Sequence, residues 1–291
     1  MAPSSFRLPP SSLPFIALAW LAVLLGPAAR AAESTPDELV LVRQGALPII
    51  LTAPHGGRLA IPGIEPRQDR TKDPAYRAWG GFQRGSDPNT DVLALGIAAE
   101  ITKLTGKEPY LVLAKFQRRF ADANRPAALA LDSPEARAYH DYYHQSIQRF
   151  VEELRSSYPA ALLVDVHGQS KDPDVIMRGT VNGRSVERLV RRAGVEAVTG
   201  PKGIYGQLEA NGFKIFPAND VPLRGHAEDA GFNGGYTVFT YGAHNRMGID
   251  AVQMEFGSRY RQKEVVYKSA EDAARAIVAF YDAYLKQPAG R

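Results

Sequence analysis

Short apolar segments alternate with longer amphipathic segments along this chain, and this alternation limits its possible folds more than any other feature. The apolar segments have the length and composition of buried β-strands, whereas the longer ones have helical periodicity. The predicted strands span residues 40–42, 48–53, 110–114, 161–166, 213–216 and 249–256, and the predicted helices span 91–104, 133–156, 186–195 and 264–285. Strands that alternate with helices predict an α/β fold with a mixed, largely parallel sheet sandwiched between helices.

The first 31 residues have the pattern of a secretory signal peptide. Arg7 precedes an apolar run over residues 13–25, and the small-residue motif 29–31 follows it. This run is too short to span a bilayer comfortably, so an uncleaved membrane anchor is the less favoured alternative. We therefore expect an exported protein, periplasmic or secreted. Its mature chain, residues 32–291, is expected to be a single domain with no stable membrane insertion.

Composition narrows the range of partners and of chemistry. The chain has 35 basic and 31 acidic residues, and loss of Arg7 and Arg30 with the signal peptide leaves a charge of roughly +2. This near-balance gives no reason to expect a nucleic-acid partner. The chain contains no cysteine, which excludes thiol catalysis. Any metal site must therefore use histidine and carboxylate ligands.

Two histidines follow predicted strands, at the edge of the sheet where α/β proteins bind ligands. His55 is followed by Gly56 and Gly57, which would let a ligand approach the backbone closely. Asp165 and His167 lie two residues apart, so they share one face of their strand. A carboxylate in this position can orient a metal-bound imidazole. The alternative is a buried histidine–aspartate pair that binds nothing.

A carboxylate ligand is expected from the segment 86–91, which precedes a predicted helix. Asp91 suits a structural role at the helix N-terminus. Asp87 lies in the preceding loop, where such a role is harder to assign. Two histidines and one carboxylate are the ligand set of many hydrolytic zinc sites. We predict one zinc ion between His55 and His167, with the third ligand open between Asp87 and Asp91.

An arginine-rich turn spans residues 118–126. Arginine binds carboxylates with two parallel hydrogen bonds, so Arg125 is predicted to hold a carboxylate of the substrate. The alternative is a solvated basic turn in which Asp122 is the internal partner of the arginines.

Glu255 lies between Met254 and Phe256 in an apolar predicted strand. An unpaired charge is costly there, and burial raises the pKa of a carboxyl group, which suits a general acid or base. A structural ion pair with one of the arginines is the alternative.

The remaining histidines carry less information. His140 and His144 have the i, i+4 spacing of a metal pair, but they lack the glutamate of the H-E-x-x-H motif. We therefore expect them to be surface or packing residues. His226 and His244 flank a glycine-rich segment, in which Tyr236 is predicted to line the pocket.

Taken in order, these motifs resemble those of the N-formylglutamate amidohydrolases over nearly all of residues 32–291. The matching segments are Pro54–Gly57, Asp87–Asp91, Arg118–Pro126, Asp165–His167, Gly234–Tyr236 and Gln253–Glu255. The resemblance implies a zinc carboxypeptidase-like fold with one zinc ion at the strand ends. One departure concerns the carboxypeptidase motif H-x-x-E, because Arg58 occupies the position of its glutamate.

The resemblance also implies roles for individual residues. Zinc would be held by His55, His167 and an aspartate of the 87–91 segment, with Asp87 favoured. Asn124 and Arg125 would hold a substrate carboxylate, and Glu255 would be the catalytic carboxylate.

The leading hypothesis is therefore metal-dependent hydrolysis of an amide bond beside a carboxylate, with an N-acyl amino acid or a small peptide as substrate. Glu255 would transfer the proton, and Arg118 or Arg119 would stabilise the oxyanion. Export is unexpected for N-formylglutamate hydrolysis, so the substrate stays open. A non-catalytic exported binding protein for acidic ligands is the alternative. A serine hydrolase is not favoured, because no G-x-S-x-G motif is present.

Overall fold

The computed structural model describes residues 34–225 and 228–286, and a mixed β-sheet lies at its centre. The strands are β1 (Val40–Arg43), β2 (Ile49–Ala53), β3 (Tyr110–Ala114), β4 (Leu162–Gln169), β5 (Val175–Gly179), β6 (Lys214–Phe216) and β7 (Asp250–Gly257). Their order across the sheet is β1-β3-β2-β4-β7-β5-β6. The pairs β1–β3 and β5–β7 are antiparallel, and the other neighbours are parallel. The prediction of a mixed, largely parallel sheet is confirmed.

Helices cover both faces of this sheet. The α-helices are α1 (Pro36–Leu39), α2 (Thr90–Thr105), α3 (Ala127–Ala130), α4 (Arg137–Ser157), α5 (Glu187–Ala193), α6 (Glu196–Thr199), α7 (Ile204–Ala210), α8 (Gly235–Tyr241) and α9 (Val266–Tyr284). Short 3-10 segments occupy Pro74–Trp79, Pro134–Ala136, Arg184–Val186 and Ser258–Arg261. The predicted α/β class is therefore confirmed.

Alternating side chains of the central strands enter two separate hydrophobic cores. Ile49 and Leu51 of β2 pack into the core beneath α2 and α9, whereas Ile50 packs into the core beneath α4. Successive side chains of a strand point to opposite faces, so a strand covered on both sides must be apolar throughout. This explains why the central strands are continuous apolar runs in the sequence.

The structure differs from the sequence prediction around β4 and β5, and it contains the helices α7 and α8, which the sequence did not predict. β4 continues through His167 to Gln169, because it pairs with β7 over its whole length. β5 was not predicted, since its five residues are few and include Arg178. The loop predicted over 58–88 contains one short element, the 3-10 turn Pro74–Trp79.

Two predictions fall partly or wholly on residues that the structure does not describe. The signal peptide over 1–31 lies outside the described residues, as does His226. Export and the boundary of the mature domain therefore remain predictions. Within the described residues, every helix is too short or too polar to cross a membrane.

Candidate metal centre and active-site cavity

His55, Asp87 and His167 converge at the carboxyl ends of β2 and β4. Oδ2 of Asp87 lies 3.4 Å from Nδ1 of His55 and 3.2 Å from Nδ1 of His167. One ligand atom from each residue lies within 4.8 Å of the other two, and all three residues are buried. The structure therefore contains a possible metal site composed of two imidazoles and one carboxylate.

The backbone before α2 brings Asp87 to the two strand ends. The amide of Asp87 donates to the carbonyl of His55 at 3.0 Å, and the amide of Gly168 donates to Oδ2 of Asp87 at 3.2 Å. A Cβ atom on Gly56 would lie 2.3 Å from the backbone nitrogen of Asp91. The protein's own packing therefore requires glycine at position 56.

Asp91 does not join this cluster. It lies in the first turn of α2, and its Oδ1 is buried without a hydrogen-bond partner. Of the two aspartates left open by the sequence, the structure thus places Asp87 with the histidines.

Each of the two histidines is backed by a second carboxylate. Nε2 of His55 donates to Oδ1 of Asp122 at 2.7 Å, and Nε2 of His167 donates to Oδ2 of Asp165 at 2.9 Å. A proton on Nε2 leaves the lone pair on Nδ1, the atom that faces Asp87. Nδ1 of His55 makes no hydrogen bond despite its burial. This arrangement fixes the orientation of both rings and would leave both Nδ1 atoms available to a metal ion.

The pairing of His167 with Asp165 agrees with the sequence prediction, whereas the role of Asp122 beside His55 was missed. The sequence predicts Asp122 only as a partner of the arginines, and it fills that role as well. Nη2 of Arg118 donates to its Oδ2 at 2.8 Å. Although burial opposes ionisation, Arg118 and His55 hold the pKa of Asp122 well below its usual range.

A buried arginine that the sequence did not reveal supports the same turn. Arg67 donates through Nε to the carbonyl of Arg118 at 3.1 Å and through Nη2 to the carbonyl of Gln83 at 2.6 Å. It lies in the 58–88 loop, where one arginine among several gives no signal of burial.

Charges around the cluster favour a bound cation. Burial raises the pKa of Asp87, but His55 and His167 hold it well below the usual range. Burial lowers the pKa of His167, yet Asp165 and Glu255 raise it well above its usual value. Carboxylates that stabilise a proton on His167 would also stabilise a metal cation in its place. The donor set and the unpartnered Nδ1 of His55 therefore fit a divalent metal ion.

Glu255 lies beside this site on the neighbouring strand. It stands opposite His167 in the β4–β7 register, and its Oε1 is 3.8 Å from Nδ1 of His167. Nε2 of Gln253 donates to Oε1 of Glu255. Burial raises the pKa of Glu255 to about 7, with Asp87 adding to the effect and His167 opposing it. In the part of the chain that the structure describes, no arginine forms an ion pair with Glu255.

A cavity of about 460 Å³ opens beside these residues. Its wall includes His55, Asp87, His167, Gln253 and Glu255, together with Trp79, Arg118, Asn124, Arg125 and Phe232. Its size and its few converging polar groups are typical of a small-molecule site.

The structure distinguishes Arg118 from Arg119. Arg118 is buried in the cavity wall, and its Nη1 lies 3.9 Å from Oδ1 of Asp87. Arg119 is exposed, and its guanidinium lies over the ring of Phe120. Of these two arginines, only Arg118 lines the cavity.

Asn124 and Arg125 also line the cavity, and both are buried. Oδ1 of Asn124 accepts from the amide of Thr237 at 2.9 Å, and its Nδ2 lies 3.4 Å from Nε2 of His167. Arg125 donates through Nη1 to the carbonyl of Asn124 and through Nη2 to that of Gly81. Its Nε has no partner.

Tyr236 lies behind the wall of the cavity. Its ring packs edge-on against Trp79, with centroids 5.4 Å apart, and against His144 at 5.2 Å. Trp79 and Gly235 line the cavity, and Tyr236 supports them from outside.

Of the two roles expected for His140 and His144, packing is the one that the structure shows. His140 is only 3% exposed, His144 is partly buried, and both bond to the turn that carries Asn124 and Arg125.

Comparison with known proteins agrees with this description. The family model described as N-formylglutamate amidohydrolase matches residues 132–260. The resemblance to this family is confirmed. The matched segment includes His167 and Glu255, and the match to N-formylglutamate amidohydrolases supports hydrolysis of an amide bond. No curated protein matches the chain.

The fold resembles that of the N-formylglutamate amidohydrolase from Ralstonia eutropha JMP134. The TM-score is 0.54 at 16% sequence identity, covering 83% of this chain and 97% of that one. Zinc-free apo YNDL has a TM-score of 0.35 at 13% identity, with 84% of this chain and 90% of that chain covered. Cwp6 from Clostridium difficile has a TM-score of 0.37 at 12% identity, with 83% and 30% covered.

Proposed function

We propose that this protein is a zinc-dependent hydrolase of an amide bond that lies next to a carboxylate, as in an N-acyl amino acid or a small peptide. One observation carries the proposal: a buried His55–Asp87–His167 site, with a carboxylate behind each histidine, lies beside the buried Glu255. In this proposal His55, Asp87 and His167 hold the zinc ion. Asp91 is not a ligand in this proposal, because it is not part of that group of residues.

When bound, zinc would supply a Lewis acid that polarises the substrate carbonyl and makes a water molecule more acidic. Glu255 would hold the proton that this water loses and deliver it to the leaving nitrogen. Its pKa of about 7 suits both halves of that task, because the group can accept and release a proton near neutral pH.

Arg118 would stabilise the negative charge that develops on the carbonyl oxygen. Its Nη2 and Nε bind Asp122, whereas its Nη1 has only a distant contact with Asp87. That nitrogen would donate to the oxyanion.

A substrate carboxylate would bind to Arg125 and Asn124. Nε of Arg125 is buried without a hydrogen-bond partner, and Asn124 and Arg125 both line the cavity. The outer nitrogens of Arg125 are held by carbonyls, so the side chain is fixed before the substrate arrives. Tyr236 would contribute indirectly, because it supports Trp79.

N-formylglutamate is one candidate substrate, since it is named for the family and for the Ralstonia eutropha protein. The signal-peptide pattern of residues 1–31 supports an exported enzyme. For an exported enzyme, N-acyl amino acids and small peptides outside the cytoplasm are equally suitable substrates.

The test is a screen of N-acyl amino acids and small peptides, in which the released amine is followed with and without a chelator. We expect hydrolysis that the chelator abolishes and that added zinc restores. Glu255→Gln should retain zinc and reduce kcat on the order of 10²- to 10⁴-fold, because proton transfer is lost. Glu153→Gln is the matched control, since Glu153 binds Tyr110 outside the cavity.

Full turnover by Glu255→Gln would refute the proposed role of this residue. Binding of acidic ligands without amine release across the whole panel would instead indicate a non-catalytic binding protein.

A further inference from the structure

Two histidines of α4 donate hydrogen bonds to one turn of the active site. Nε2 of His140 donates to the carbonyl of Arg125, and Nε2 of His144 donates to the carbonyl of Ala123, each at 2.9 Å. The histidines are four residues apart, so they lie on one face of the helix. Their ring centroids are 4.5 Å apart.

The turn they hold, residues 122–125, contributes to the site in two ways. Asp122 accepts the hydrogen bond from Nε2 of His55, and Asn124 and Arg125 line the cavity. A shift of this turn would therefore disturb a metal-binding histidine and the proposed carboxylate anchor together.

Little else could replace these two hydrogen bonds. Ala123 is fully buried and Arg125 is 4% exposed. Both residues expose little surface to water, and a buried carbonyl without a partner is costly. Burial lowers the pKa of His144 to about 3, with His140 adding to the effect, so the ring stays neutral. A neutral ring with its proton on Nε2 can donate only there.

The opposite side of the turn is held by α8, where the amide of Thr237 donates to Oδ1 of Asn124. The turn is thus fixed between α4 and α8. We infer that His140 and His144 are positioning residues, which hold turn 122–125 where Asp122 orients His55 and where Asn124 and Arg125 face the substrate. The inference that the histidines position Asn124 and Arg125 toward the substrate rests on the proposed function. The inference that they hold Asp122 beside His55 does not.

Substitutions can separate positioning from simple packing. Leucine at position 140 or 144 fills space but donates nothing. Glutamine places an amide nitrogen at the same number of bonds from Cβ as Nε2 of histidine, so it can restore the donor. Asparagine is one bond shorter and is the polar variant that should fail to reach the carbonyl.

The experiment makes three measurements on full-length protein: zinc affinity by competition with a chelator, steady-state kinetics (kcat and KM) for the best substrate, and hydrogen exchange of the amides in turn 122–125. For His140→Leu and His144→Leu we expect faster exchange in the turn. Zinc affinity should fall about tenfold and KM should rise about tenfold, as for loss of one buried hydrogen bond at each site. His140→Gln and His144→Gln should stay within about threefold of the wild type.

Tyr139→Phe is the matched control. Tyr139 lies one turn before Tyr143 on α4, and its hydroxyl donates to the carbonyl of Ser34 at 2.5 Å, away from the turn. It should lower thermal stability without changing exchange of the turn, zinc affinity or KM. If the leucine variants behave like Tyr139→Phe in all three measurements, the inference is wrong.

Where a leucine variant does not fold, the asparagine variant takes its place with the same expectations. If the wild type binds zinc but hydrolyses nothing, the proposed function fails while zinc affinity and exchange still decide the positioning role. Unchanged exchange and zinc affinity in every variant would overturn the inference, whatever the substrate.

Discussion

Asp122 and His55 form a buried hydrogen bond of 2.7 Å between residues that are 67 positions apart in the chain. The same carboxylate also binds Arg118 at 2.8 Å. His167 has a simpler partner, because Asp165 accepts only from that ring and from the hydroxyl of Thr52 among the described side chains. Both carboxylates therefore orient a histidine of the candidate metal site, but only Asp122 also pairs with a buried arginine.

Replacing each carboxylate by its amide separates these tasks. Asp122→Asn and Asp165→Asn should each weaken zinc binding by about 10- to 100-fold, because the histidine loses its charged partner. Asp122→Asn should also reduce the free energy of unfolding by roughly 3–5 kcal/mol, since Arg118 is left as a buried charge without its partner. For Asp165→Asn the reduction should be about 1–2 kcal/mol.

Zinc affinity is measured by chelator competition, and the free energy of unfolding by urea denaturation of the metal-free protein. Equal losses of stability in the two variants would show that the Arg118 contact is not what distinguishes Asp122.

The apolar runs of the strands allowed much of this site to be predicted from the sequence. His55 and His167 follow or end apolar runs that could be recognised as strands. Parallel strands bring such ends to one edge of a sheet. The β4–β7 register then places Glu255 beside His167, as expected for a polar residue at the same level of a neighbouring strand.

The partners contributed by loops and by helix faces could not be predicted in the same way. Arg67 lies in a long segment without periodicity, so its burial depends on contacts with distant residues. His140 and His144 donate to backbone carbonyl groups. Every residue has such a group, so the sequence does not indicate which one accepts the hydrogen bond. An aspartate among arginines suggests an ion pair, and only the fold shows that Asp122 also forms a hydrogen bond with His55.

Close approach of α2 to β2 gives a second prediction. A Cβ on Gly56 would meet the backbone nitrogen of Asp91 at 2.3 Å, so Gly56→Ala must displace the start of the helix. We expect a loss of about 1–3 kcal/mol of unfolding free energy. Weaker zinc binding should accompany it, since Asp87 lies three residues before the first residue of that helix.

Gly85→Ala is the control for this substitution, because a Cβ there meets no atom within 4 Å. Its stability should stay within about 0.5 kcal/mol of the wild type in the same denaturation experiment. A Gly56→Ala variant as stable as Gly85→Ala would contradict the packing argument.

Arg125 provides a test of substrate recognition. Arg125→Lys keeps a positive charge but removes Nε and the planar fork, so KM for a carboxylate substrate should rise about tenfold or more. The same variant should change KM far less for an analogue in which that carboxylate is an amide. Arg119→Lys is the control, since Arg119 is exposed outside the cavity. Equal effects on both substrates would exclude Arg125 as the carboxylate anchor.

Asp250, at the start of β7, should make the protein less stable as the pH rises. Burial raises its pKa to about 6, against the partial compensation of the Leu189 amide and Arg192. Its usual pKa is 3.8. Between about pH 4 and 6 the folded state therefore holds a proton that the unfolded state has released, so the free energy of unfolding falls as pH rises through this range.

Asp250→Asn cannot ionise, yet it keeps an oxygen to accept the hydrogen bond from Leu189. Above pH 6 it should be more stable than the wild type, by up to about 3 kcal/mol for the shift of two pKa units. Loss of the contact with Arg192, which is 3.7 Å long and partly exposed, should reduce this gain by less than about 1 kcal/mol. Below pH 4 the two proteins should be nearly equal. Urea denaturation at several pH values between 4 and 8 measures the difference, and a constant difference across that range would show that the carboxyl group of Asp250 titrates normally in the folded protein.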